Sequence, residues 1–105
     1  MKKNIDTELD KIVRAIKRTV DIEKIILFGS YAKENQKTES DIDICIITDG
    51  KKNIQTLWKI REAIFDISTH PIDLLLFNSD EFKEREKSKT SMEHEIKQTG
   101  ILLYG

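Results

Sequence analysis

Two short apolar runs, Ile25-Ile26-Leu27-Phe28 and Ile44-Cys45-Ile46-Ile47, bracket a polar stretch that opens with Gly29-Ser30 and closes with Asp41-Ile42-Asp43. No other feature constrains the fold as much. Runs of this length and composition read as buried strands, the first as a central strand covered on both faces. Gly29 then stands at the exit of one strand and Asp43 inside the next. Glycine lets a ligand approach the backbone closely, and serine suits a helix cap. Asp41 and Asp43 are two apart, so both carboxylates point to the same side of the second strand. Acids on a strand otherwise built from isoleucine are unfavourable unless a cation meets them. Mg²⁺ carrying a nucleoside triphosphate is a common cation of that kind.

The rest of the chain supplies helices around these strands. Ile5, Leu9, Ile12, Val13, Ile16 and Val20 recur at helical spacing, with Asn4 or Thr7 as the cap and a basic, solvated opposite face. A short helix from Ser30 to about Glu34 and a polar loop from Asn35 to Ser40 lead into the second strand, Asp41 to Thr48. That link permits either parallel or antiparallel pairing. Asn53 caps a helix whose core face carries Ile54, Leu57, Trp58, Ile64 and Phe65. Trp58 reads as core in preference to a base-stacking platform. Ile72 to Phe77 is a third strand bearing Asp73. Asn78 or Ser79 caps a charged helix containing Phe82, and a last helix from about Ser91 to Thr99 stops at Gly100 in the manner of a helix C-terminal glycine. Leu102-Leu103-Tyr104 packs back as an edge segment.

At 105 residues and 38% hydrophobic, the chain is expected to be a single globular domain spanning residues 1–105. A net charge of −1 gives no general attraction to long nucleic acid. Cys45, the single cysteine, reads as a small buried core residue with no disulfide partner. No apolar stretch is long enough to span a membrane, no signal peptide is visible, and the expected location is the cytoplasm.

Three acids, Asp41, Asp43 and Asp73, stand at comparable places in apolar strands. If those strands are neighbours, the acids can hold two divalent ions that align a hydroxyl with an α-phosphate. Amides of the Gly29-Ser30 turn suit the triphosphate tail. Taken singly, each has a plainer explanation: Ser30 a helix cap, the acids solvated strand ends. The spacing of Gly-Ser, ten residues and Asp-x-Asp decides otherwise. By average residue usage it arises by chance in roughly one chain of this length in a thousand.

That signature resembles the nucleotidyltransferase superfamily of the polymerase β type, and specifically its minimal nucleotidyltransferase (MNT) members. The resemblance covers nearly the whole chain, from the first helix to Gly100-Ile101-Leu102-Leu103-Tyr104. It implies an α+β fold with α/β-type alternation, a small mixed sheet of about three to four strands flanked by helices. It implies that Gly29 and Ser30 bind the triphosphate, that Asp41, Asp43 and Asp73 are catalytic and bind metal, and that Asp73 helps activate the acceptor hydroxyl. Relatives often carry an arginine and a further glycine after the Gly-Ser pair; here Tyr31, Lys33, Glu34 and Asn35 stand there, with Lys33 the candidate replacement for the arginine.

The function implied is metal-dependent transfer of AMP from ATP to a hydroxyl, with Mg²⁺ (or Mn²⁺) as cofactor. Minimal members are often antitoxins that adenylylate a tyrosine of an all-helical HEPN ribonuclease toxin, which makes such a toxin the expected partner. The alternatives are a non-catalytic module that neutralises a helical partner by contact, and transfer to a small molecule or an RNA end. Edge segments and the apolar tail are candidate surfaces for a homo- or hetero-oligomer.

Overall fold

The two apolar runs form neighbouring strands, β1 (Lys24–Phe28) and β2 (Ile42–Thr48), in a computed structural model that describes residues 2–33, 41–50 and 53–105. Around them in chain order are α1 (Lys2–Thr19), α2 (Ile54–Ile64), β3 (Ile72–Asn78), α3 (Ser79–Arg85), α4 (Met92–Thr99) and β4 (Ile101–Tyr104). The sheet order is β3-β2-β1-β4. β1 pairs antiparallel with both β2 and β4, and β2 pairs parallel with β3. The sequence leaves the β1–β2 direction open; the structure resolves it as antiparallel. The helix α2 supplies the crossover that a parallel β2–β3 pair requires.

The twofold alternation of side chains along the strands sorts the interior into two layers. Ile25, Leu27, Ile42, Ile44, Ile46 and Leu74 face α1 and α2, where they meet Leu9, Ile12, Ala15, Ile16, Ile60 and Ile64. On the opposite side Ile26, Cys45 and Ile47 meet Phe82 of α3 and Ile96 of α4. β1 is thus central and covered on both faces, as its run of apolar residues predicts. Asp43 shares its side of the sheet with Cys45 and Ile47, so it looks toward the α3–α4 layer. Cys45 is fully buried, and burial, with the charge of Glu93, pushes its thiol up to about 12. It is inert.

Several local expectations are corrected. α1 begins at Lys2, so Asn4 and Thr7 both lie inside the helix instead of capping it; the side chains of Asn4 and Ile5 lie outside the described residues. The helix expected from Ser30 is a single turn over the described residues, closed by Lys33 N–H donating to Gly29 O at 3.2 Å. Glu34 and the loop 35–40 lie outside the described residues. Asn53 does cap α2, accepting from Thr56 N–H at 2.8 Å. Yet the buried stripe of α2 is Ile60 and Ile64, flanked by Leu57, Ala63 and Ile67. Trp58 is 66% exposed, and Ile54 and Phe65 are exposed with it. Helix α2 is apolar over more than one face, and the face carrying Trp58 is the solvent one.

Asn78 caps α3 and Ser91 caps α4, through Asp80 N–H and His94 N–H respectively. Gly100 ends α4 for a different reason from the one its position suggests. Its φ is −76°, outside the left-handed region of a helix C-terminal glycine. A Cβ there would meet the Ile96 carbonyl oxygen, and would lie 2.5 Å from Ile26 Cγ2 and 3.2 Å from the Leu27 carbonyl. The glycine is needed for close backbone approach, which lets β4 turn directly onto β1. Gly100→Ala is therefore expected to lower stability by about 2 kcal/mol in urea unfolding, as overpacking does. Gly100→Asn should fare no better, although a left-handed cap would accept it.

Candidate active site

The parallel register of β2 and β3 sets Asp43 directly beside Asp73. Both strands are entered at this end, so the acids lie where the sheet opens to solvent instead of in mid-core. Burial, the charge of Asp73, a carboxyl–carboxyl hydrogen bond with Asp73 and the charge of Asp41 together raise the Asp43 carboxyl above its ordinary value. Two carboxylates this close hold a proton or a cation between them. Asp41 precedes β2, is exposed, and acts on Asp43 by charge. Among the described residues, no group of three acidic, histidine or cysteine side chains forms a metal cage. The expected three-acid cluster is thus an adjacent pair with Asp41 at its rim.

Gly29 completes this corner. It leaves β1 just after Phe28, which pairs with Asp43 across the sheet. Its φ of +78° lies in the left-handed region, and a Cβ on it would run into the Asp43 carboxylate. The turn and the acid are therefore in contact, and only glycine leaves room for both. Ser30, Tyr31, Ala32 and Lys33 follow within that turn, whose leading amides have no helical carbonyl four residues back. Lys33 Nζ is engaged by Glu95 of α4 at 2.9 Å, an exposed pair. A cavity of about 190 Å³ lies against the turn, lined by Phe28, Gly29, Met92, Glu95, Ile96 and Thr99.

Two buried acids escape a sequence reading that attends only to strands. Glu8 of α1 is 8% exposed and is bound by the loop before β3. Glu93 of α4 is 5% exposed and meets Arg85 Nε at 3.3 Å. The signal for each was present: Glu8 lies four residues before Ile12, and Glu93 three before Ile96, so each interrupts an apolar helical stripe.

A four-stranded mixed sheet with helices on both faces, and a glycine turn set against a carboxylate pair, is the frame of a nucleotidyltransferase domain. The chain belongs to the polymerase beta nucleotidyltransferase family, whose profile matches residues 10–105. Among relatives, it is 34% identical over 71 residues to "Putative protein adenylyltransferase MJ1217" of Methanocaldococcus jannaschii, covering 68% of this chain and 72% of that protein. It is 30% identical over 71 residues to "Putative protein adenylyltransferase MJ1215" of the same organism, covering 68% of this chain and 83% of that protein. Among solved structures, it superposes on a chain of a toxin-antitoxin complex with AMP-PNP at a TM-score of 0.68 and 22% identity, covering 91% of this chain and 72% of that one. A complex of a tri-AMPylated Shewanella oneidensis HEPN toxin with an MNT antitoxin gives a TM-score of 0.63 at 17% identity, covering 95% of this chain and 71% of that one. At these identities the likeness is one of fold. No helix among the described residues is long and apolar enough to cross a membrane.

Proposed function

We propose that this chain transfers AMP from ATP to a hydroxyl, the acceptor being a tyrosine of a HEPN ribonuclease toxin for which it is the antitoxin. The observation that carries the reading is the contact between the Gly29 turn and Asp43, with Asp73 alongside. An anion-binding turn and a carboxylate pair in contact can act on one triphosphate together. In this reading the amides of Gly29 and Ser30 hold the tail, and Lys33 exchanges Glu95 for a phosphate oxygen. The acceptor oxygen attacks the α-phosphorus, the bond to the bridging oxygen breaks, pyrophosphate leaves, and Asp73 takes the hydroxyl proton.

The donor set fits a hard divalent cation. Mg²⁺ uses one or two carboxylates together with substrate phosphates and keeps several waters, so an open pair suits it better than a closed cage. Asp43 and Asp73 would hold it, with Asp41 at the rim. When bound, it supplies neutralisation of the charge on the α-phosphate and the departing pyrophosphate. Support for the acceptor comes from the solved toxin-antitoxin complexes sharing this fold, one of them holding a tri-AMPylated toxin.

The test is transfer of label from ATP radiolabelled at the α-phosphate, with Mg²⁺ and a purified HEPN toxin from the same organism. A labelled toxin band, absent with Asp41→Ala, is the expected result. Tight nucleotide binding and tight toxin binding without label would overturn it in favour of neutralisation by contact. Label on a small molecule or an RNA end would keep the transferase and replace the acceptor.

A further inference from the structure

The loop between α2 and β3 is gathered onto one buried carboxylate. Ser68 Oγ, Thr69 N–H and His70 N–H donate to Glu8 Oε2 at 3.0, 2.8 and 3.3 Å, while Thr69 Oγ1 and His70 Nδ1 meet Oε1 at 2.9 and 2.8 Å. Burial would push the Glu8 carboxyl up, but the bonds from Thr69, His70 and Ser68 outweigh it and hold the group below its ordinary value. Glu8 is therefore an ionised acceptor, and His70 donates to it through Nδ1–H. The same imidazole meets the ring of Tyr31 edge to face, with centroids 6.1 Å apart and planes at 84°.

These contacts join the two halves of the site. Tyr31 lies in the turn that begins at Gly29. Immediately after His70, the Pro71 carbonyl accepts from Ile42 N–H at 2.9 Å, which sets the β2–β3 register carrying Asp43 and Asp73. One ring thus touches the turn on one side and belongs to the strand entry on the other.

We propose that His70, oriented by Glu8, is a positioning residue that fixes the spacing between the Gly29–Lys33 turn and the Asp43–Asp73 pair. The inference rests on the reading that this turn and these acids share one nucleotide. A ligand held at both ends requires a set distance between its two grips: a slight loosening of one wall first shows as weaker binding, whereas a displacement of about 1 Å also slows the chemistry.

His70→Asn separates this role from loop stapling, because an Asn amide can still donate to Glu8 but offers Tyr31 no ring. The variant is expected to melt close to the parent, to bind Mg–AMP-PNP about fivefold more weakly, and to raise KM for ATP with kcat little changed. Tyr31→Ala should weaken binding similarly, and the double variant should be no worse than either alone. Additive losses, or unchanged affinity in His70→Asn, would overturn the proposal. Hydrogen exchange at the Lys33 amide reads the same coupling without nucleotide, and it should quicken in His70→Asn. A parent that binds no nucleotide sinks the reading of the site, whereas unchanged exchange at Lys33 sinks the positioning role alone.

Discussion

Asp43→Asn is expected to abolish AMP transfer while making the free protein more stable. The substitution keeps the shape of the side chain and removes its charge. In the reading proposed above, that charge holds Mg²⁺ and balances the phosphates, so about a thousandfold of the rate goes with it, near 4 kcal/mol of transition-state stabilisation. Stability moves the other way because burial, Asp73 and Asp41 raise the Asp43 carboxyl. A carboxyl whose folded pKa is raised binds its proton more tightly in the native state, so the fold loses stability as pH climbs through the unfolded value toward the folded one. The advantage of Asp43→Asn should therefore be absent well below the ordinary aspartate value of about 3.9 and fully present at neutral pH. The variant should therefore melt above the parent at neutral pH. Mg²⁺ should raise the melting temperature of the parent and leave that of the variant nearly unmoved. A variant that melts below the parent at neutral pH, or retains transfer, would contradict the account.

This opposition between stability and activity was legible in the sequence, because acids in isoleucine strands are conspicuous without any structure. Asp43 and Asp73 stand out in that way, and the parallel register sets them side by side. What the sequence could not give is the partner of each surface. Trp58 and Leu57 are adjacent on α2 and similarly apolar, yet one is exposed and the other packs on the core. The helical period alone does not choose between them when apolar residues occupy more than half the circumference. Gly100 reads as a helix stop from position, whereas its cause is crowding by Ile96, Ile26 and Leu27, two of them on a distant strand. Glu8 and His70 are 62 residues apart, and nothing local to either announces the bond between them. Local chemistry was readable; long-range contact was not.

Gly29→Ala is the sharper probe of whether the turn and Asp43 act as one unit. Two costs fall on it. The φ of +78° is unfavourable for any side chain, about 1–2 kcal/mol by the sterics of the left-handed region. The new Cβ also collides with the Asp43 carboxylate, and it would lie 3.0 Å from Asp43 Cγ and 3.3 Å from its Cβ. Relief requires the carboxylate to swing away from the turn or the turn to back off, and either opens the corner. Affinity for Mg–AMP-PNP and the transfer rate should both fall, the rate by about a hundredfold, as misplacement of about 1 Å can do. Unfolding in urea separates the two costs. In an Asp43→Ala background the carboxylate is gone, so Gly29→Ala should lose the backbone part and only the milder 3.3 Å contact with the Cβ at position 43, and the cycle should show a coupling of at least about 0.5 kcal/mol. Equal losses in both backgrounds would mean that the glycine serves its own backbone alone, and that the turn and the carboxylate pair are neighbours without being a single device.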